Sequence, residues 1–265
     1  MTEPARASHP RPIVGLRNVT RTFGSGTTAL AGLNLEVRAG EFLSLLGPSG
    51  CGKSTALRLI AGLDQPSGGS VEWSTAAPGE TAHNIGFVFQ EPTLMPWASV
   101  RANVALPFRL KHLDSRDVAP RVAEALDRVG LSKFGGAYPR ELSGGMKMRV
   151  SIARALVTRP DLLLMDEPFA ALDEITRFKL NNDLLDLWQA LGTTVVFVTH
   201  SVFESVYLSG RIVVMTPRPG RVFTELVVDA PYPRAESFRT SPEYAAACRR
   251  VSAALSRAMA EGGRQ

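Results

Sequence analysis

Cysteine is nearly missing from this chain. Its 265 residues hold two, Cys51 and Cys248, and Cys51 stands inside a glycine-rich loop where a structural disulfide would obstruct a ligand. A reduced, cytoplasmic protein is therefore expected. Long hydrophobic runs are also absent: charges, Gly and Pro interrupt every apolar stretch short of the roughly 18 to 20 residues that a membrane helix needs. Any membrane role must be borrowed from a partner chain. Residues 1–12 are polar and rich in Pro and Arg, lack the apolar segment of a secretory signal, and read as a disordered tail. There is no zinc-ligand spacing and no basic stripe interleaved with aromatics. The net charge of +5 comes from 30 Lys and Arg scattered among 25 Asp and Glu. That mixture describes a solvated surface and predicts no nucleic-acid partner. No internal repeat occurs, so each motif exists in one copy.

What the chain does have is 45% hydrophobic residues, enough at this length for one sizeable core. Four short apolar runs have the length of buried parallel strands: 42–46, 85–89, 162–165 and 195–199. Each ends in chemistry. The first runs into Gly47, the second into Gln90, the third into Asp166 and Glu167, and the fourth into His200. In an open α/β sheet, ligands bind beyond the carboxyl ends of the strands, so these four termini are expected to converge on one crevice. Residues 121–129 carry Val122, Ala125, Leu126 and Val129 at helical spacing, with Pro120 leaving the start of that helix open. Residues 146–157 read as a helix that stops before Pro160, and 65–70 and 74–84 as loops of a peripheral sheet.

The residues Gly47, Pro48, Ser49, Gly50, Cys51, Gly52, Lys53 and Ser54 match the phosphate-loop pattern, and Thr55 opens a helical run, 55–61, directly after them. Glycines let such a backbone curl until its N–H groups and the helix N-terminus face the β- and γ-phosphates of a nucleotide. Lys53 adds a point charge, and the Ser54 hydroxyl a ligand for Mg²⁺. The strand ending in Asp166 and Glu167 is the acidic companion of such loops, with Asp166 placed to hold Mg²⁺ through water and Glu167 to polarise the attacking water. Gln90, at a neighbouring strand end, is placed to reach the metal or that water. Beside Lys53 and a helix N-terminus the Cys51 thiolate is expected to be favoured, which predicts inactivation by a maleimide and protection by ATP.

Kinases, GTPases and helicases share a phosphate loop. The discriminating element is Leu142-Ser143-Gly144-Gly145-Met146, which resembles the signature motif of the ATP-binding-cassette family. The resemblance spans roughly residues 13–227, with the motifs in the family's order. It implies an α/β P-loop NTPase fold: a RecA-like, mostly parallel sheet core, a small antiparallel β subdomain, and a helical subdomain at about 91–157. It implies ATP and Mg²⁺ as cofactors. The Ser143 hydroxyl and the Gly144 and Gly145 amides, at a helix start, form a second anion site. In this family that site meets the γ-phosphate held by the opposite subunit, so a head-to-tail dimer of two ATP-binding subunits is implied. Phe23 resembles the aromatic that stacks on adenine, or packs in a small sheet. Ala171-Leu172-Asp173 resembles the D-loop, or Asp173 caps a helix. His200 resembles the switch histidine, or is a satisfied strand-end histidine. Met146 departs from the Gln that commonly follows the glycines and cannot copy its hydrogen bond.

The implied mechanism is closure of the dimer by ATP, with Glu167 and His200 orienting water towards the γ-phosphate and Lys53 with Mg²⁺ stabilising the developing charge. Residues 91–97, with Met146, resemble importers of the nitrate, sulfonate and taurine group, whose relatives also carry pyrimidine-type vitamin precursors. This implies separate transmembrane permease subunits, a substrate-binding protein met only indirectly, and a peripheral place on the cytoplasmic face of the membrane. Residues 90–97 are then a candidate docking surface, or else pack within the helical lobe. An exporter cassette, or a soluble cassette acting on nucleic acid or ribosomes, would share the chemistry. The first is usually fused to its membrane domain, and the second usually carries a coiled-coil insertion or a tandem cassette. The expected organisation is a tail at 1–12, the cassette at 13–230, and an extension at 231–265 with one helix. Ser241 caps that helix, Pro242 opens it, and Tyr244, Cys248, Val251, Leu255 and Met259 form its apolar stripe.

Overall fold

Strands that are apolar at every position must be covered on both faces, and the central sheet is built that way. The computed structural model describes residues 12–74, 83–112 and 115–262. In chain order the strands are β1 (Pro12–Thr22), β2 (Thr28–Arg38), β3 (Phe42–Leu46), β4 (Gly68–Trp73), β5 (Ile85–Val88), β6 (Leu162–Asp166), β7 (Thr194–Thr199), β8 (Arg211–Met215) and β9 (Val222–Val227). The helices are α1 (Lys53–Ile60), α2 (Val100–Val104), α3 (Leu106–Leu110), α4 (Ser115–Arg128), α5 (Gly144–Leu156), α6 (Glu174–Leu191), α7 (Val202–Leu208) and α8 (Pro242–Gly262). Six strands form the central sheet in the order β5-β6-β7-β3-β8-β9. It is parallel except for β9, which runs antiparallel to β8. The small sheet, β2-β1-β4, is antiparallel throughout.

Side chains alternate across the central sheet with period two. Phe42, Leu46, Leu163, Met165, Val195, Phe197, Ile212 and Val214 point into a core shared with α5, α6, α7 and α8. Leu43, Leu45, Leu162, Leu164, Val196, Val198 and Val213 point into a second core closed by α1 and the small sheet. The buried Arg211 links the two sheets: its guanidinium meets Glu41 at 2.6 Å and Glu225 at 2.7 Å, and donates to the Glu36 carbonyl. Hydrogen bonds to these carboxylates outweigh burial and hold its pKa above the usual value.

Several expectations need correction. Pro12 lies inside β1 rather than in the tail, and residues 1–11 fall outside the described residues. Residues 68–70 are the start of β4, not a loop, and pair with Arg17 and Thr20 of β1; of 74–84, residues 75–82 fall outside the described residues. Pro120 sits within α4, which begins at Ser115. The C-terminal helix is opened by Pro242, and Ser241 accepts the Tyr244 N–H at 3.1 Å, but Met259 is exposed. Its buried face is completed by Ala247, Ala254 and Ala258. Among the described residues no helix is long and apolar enough to cross a membrane.

Candidate functional site

The loop after β3 turns through Gly50 and Gly52 at positive φ, 74° and 101°. A Cβ on Gly52 would also stand 2.9 Å from the Ala29 carbonyl and 2.6 Å from Leu30, so glycine is required there twice over. Gly52 hands the chain into α1 without a side-chain cap. In contrast, Ser143 caps α5 and Asp173 caps α6 by accepting the Met146 and Thr176 N–H groups. The first-turn N–H groups of α1 are thus left for an anion. Lys53 is 4% exposed, and its ammonium donates to the Gly47 and Pro48 carbonyls at 2.8 and 3.0 Å.

Three strand ends meet at this loop. The Ser54 hydroxyl donates to Asp166 Oδ1 at 2.8 Å, at the end of β6. Glu167 Oε1 lies 3.6 Å from Lys53 Nζ, and its Oε2 lies 3.2 Å from His200 Nδ1, just beyond β7. Glu167 is held in the left-handed region, φ 46°, by its N–H bond to the Val198 carbonyl and by the Ala170 N–H on its own carbonyl. For a residue with a Cβ this conformation costs about 1 to 2 kcal/mol. The side chain is thereby aimed out of the strand line, towards Lys53 and His200. Nothing in the sequence signals that strain.

Burial pushes the Asp166 carboxyl above the usual range, and the hydrogen bond from Ser54 only partly opposes it. A half-buried carboxylate beside a hydroxyl is a pair of hard oxygen donors, which fits a divalent cation. Among the described residues no group of three or more His, Cys, Asp or Glu side chains could hold a metal alone. A Mg²⁺ ion here would have to complete its shell with phosphate oxygens and water, as Mg²⁺ generally does at nucleotide sites.

The other expected positions are placed less directly. Gln90 stands exposed two residues past β5. Phe23, 38% exposed, follows β1 with the Arg21 guanidinium 5.0 Å from its ring centre. Ser143 takes no part in the Lys53 and Asp166 contacts; Gly144 and Gly145 lie instead against Leu172 and Thr176 at the start of α6. Met146 packs against the core. One expectation is overturned. Cys51 is 1% exposed, and burial pushes its thiol up despite the neighbouring Lys53, so the thiolate is disfavoured.

Residues 216–221, to which the sequence assigns no role, support the phosphate loop from outside. Arg218 Nε donates to the Gly50 carbonyl at 3.1 Å, and a Cβ on Gly220 would stand 1.9 Å from the Cys51 carbonyl oxygen. Gly220 also exchanges backbone bonds with Ala29 and Ala31 of β2. The only sequence signal is a Pro-Arg-Pro-Gly turn after an apolar strand.

The ABC transporter family profile matches residues 30–170. An uncharacterized ABC transporter ATP-binding protein of Methanocaldococcus jannaschii is 47% identical over 232 residues, covering 86% of each chain. An aliphatic sulfonates import ATP-binding protein of Bacillus subtilis is 46% identical over 231 residues, 86% of this chain and 87% of its own. Among solved structures, a dimeric ATP-binding cassette in a post-hydrolysis state with ADP and Pi superposes with a TM-score of 0.71 at 35% identity. The match covers 82% of this chain and all of that one.

Proposed function

Since this chain belongs to the ABC transporter family, as an ATP-binding cassette that hydrolyses ATP, we propose that it is the energising subunit of an importer for a small solute, working as a head-to-tail dimer. The observation that carries the hydrolytic part is the contact chain from Lys53 to Glu167 to His200, with Ser54 on Asp166 beside it. The uncapped start of α1 and Lys53 bind the phosphates. Glu167 accepts a proton from the attacking water, His200 orients Glu167 and that water, and Lys53 stabilises charge developing on the γ-phosphate. Ser54 and Asp166 would hold Mg²⁺, with Gln90 at the rim; when bound, Mg²⁺ neutralises phosphate charge. Phe23 supplies an aromatic face for adenine. Ser143, Gly144 and Gly145 face the nucleotide of the partner copy, and Asp173, while capping α6, lies at the same surface.

Import is supported by the aliphatic-sulfonate relative, so small organic or inorganic anions are the leading class of cargo. Permease docking is supported by an open depression lined by Met95, Trp97, Leu106, Leu110 and Tyr138. Trp97 is 77% exposed there, while Leu94 packs on the core, so residues 90–97 are divided between lobe and surface. Docking would place the chain against a membrane that none of its described helices is long and apolar enough to cross. The test is Glu167→Gln: turnover falls by about 10² to 10⁴ while ATP binding persists, the usual size of a general-base effect. Unchanged hydrolysis in that variant would refute the assignment.

A further inference from the structure

Behind His200, between α6 and α7, lies a second set of buried polar groups that the hydrolytic cluster does not use. Glu204, in the first turn of α7, is 8% exposed. Its Oε2 accepts from Thr199 Oγ1 at 2.5 Å, and that hydroxyl accepts from the Ser201 N–H at 3.0 Å. His200 is therefore bracketed on both sides by groups fixed through one carboxylate. The second oxygen, Oε1, has no hydrogen-bond partner among the described residues and stands 3.8 Å from Arg177 Nε, a buried nitrogen that has none among them either. Arg177 uses Nη2 instead, donating to the Leu172 carbonyl at 2.8 Å. Leu172 in turn packs over Gly144, 3.4 Å from where a Cβ would stand.

These contacts form a continuous path from Gly144 through Leu172, Arg177, Glu204 and Thr199 to His200. A buried carboxylate facing a guanidinium without a hydrogen bond is a poor source of stability, because desolvation offsets the attraction. It is, however, sensitive to position: the 3.8 Å separation is one small shift of α6 against α7 from a charge-assisted hydrogen bond. We propose that Arg177 and Glu204 are positioning residues that join the 171–173 loop to His200. Movement of Leu172 is passed through the Arg177 and Glu204 pair to the backbone that carries the imidazole. Glu204 touches no reacting atom and acts through Thr199 and Ser201. The proposal rests on the reading that His200 serves hydrolysis.

The test is steady-state ATPase kinetics and ATP binding on the full-length chain, with His200→Ala as the reference background. Glu204→Gln and Arg177→Met should each lower kcat about tenfold with KM for ATP held within about twofold, and a full stoichiometry of ATP binding in both variants separates this from a loss of folded protein, which would lower apparent kcat in the same way. Thr199→Ser should keep the wild-type rate, whereas Thr199→Val should fall as Glu204→Gln does. In the His200→Ala background, Glu204→Gln should change the residual rate by less than about twofold, because the two act in series. An equal loss in both backgrounds would overturn the proposal, as would a parallel fall in ATP affinity or wild-type kcat in both single variants. If His200→Ala itself turns over normally, the role of His200 fails, and that result is distinct from normal turnover in Glu204→Gln alone.

Discussion

Replacing Gly220 by alanine adds one methyl group at the closest backbone approach to the phosphate loop. The new Cβ would stand 1.9 Å from the Cys51 carbonyl oxygen and 3.1 Å from Met215 Cε. The methionine end can swing away, but the carbonyl belongs to the loop itself. To reach ordinary contact the two backbones must part by about 1.5 Å, since packed interiors absorb little of such a displacement. Gly220 is tied to Ala29 and Ala31, so the strain falls on residues 50–52 and on the start of α1. A misplacement of about 1 Å at a positioned site costs on the order of 10²-fold in activity. We expect ATP affinity, read by equilibrium binding of a fluorescent nucleotide, to fall at least about tenfold, with hydrolysis falling further. Gly136→Ala is the control: no described residue lies within 4 Å of its Cβ position and its φ is ordinary. Wild-type nucleotide binding by Gly220→Ala would refute the view that residues 216–221 set the shape of the phosphate loop.

Two further outcomes follow from burial at the same site. Cys51, enclosed and with its thiol pushed up, should react with a maleimide at neutral pH far more slowly than a free thiol, and ATP should not alter the rate; rapid labelling of the folded chain would contradict this. Asp166→Asn should abolish Mg²⁺-dependent hydrolysis and yet raise Tm at pH 7.5. Because burial raises the folded pKa above 3.8, the carboxyl contributes stability only at low pH and loses it as pH rises through the folded value. The Tm gain of the variant should therefore shrink on acidification; a gain that grows towards low pH would show the sign to be wrong.

Chemistry proved more legible in the sequence than its supports. Phosphate binding needs glycines, Lys53 and Ser54 at fixed spacing, and the parallel strands had to be continuous apolar runs, so 42–46 reads identically in sequence and structure. Cys51 misled because adjacency to Lys53 is visible in sequence, whereas its burial in the same core as Met215, with its carbonyl against Gly220, is tertiary. β4 resembles a turn because it opens with two glycines. Yet Gly69, at φ 77°, is where β4 passes close to β1, with a Cβ position only 2.3 Å from the Asn18 carbonyl oxygen. In α8 the large side chains suggested the buried face, but α8 packs closely enough on α7 and β8 that alanines complete it and Met259 turns outward. The Arg177 and Glu204 pair was invisible because neither residue belongs to a motif by itself.

The central claim is that ATP is hydrolysed at a site completed by a second copy of this chain, with Lys53 from one copy and Ser143 from the other. Its most direct test mixes two inactive variants, Lys53→Ala and Ser143→Arg, under conditions that allow subunits to exchange. Each alone should lack turnover. The mixture should recover about a quarter of the wild-type rate, since half of the randomly formed dimers would hold one intact site of two. A Ser143→Arg chain that is fully active alone, or a mixture that stays as inactive as its parts while exchange is verified, would contradict the account.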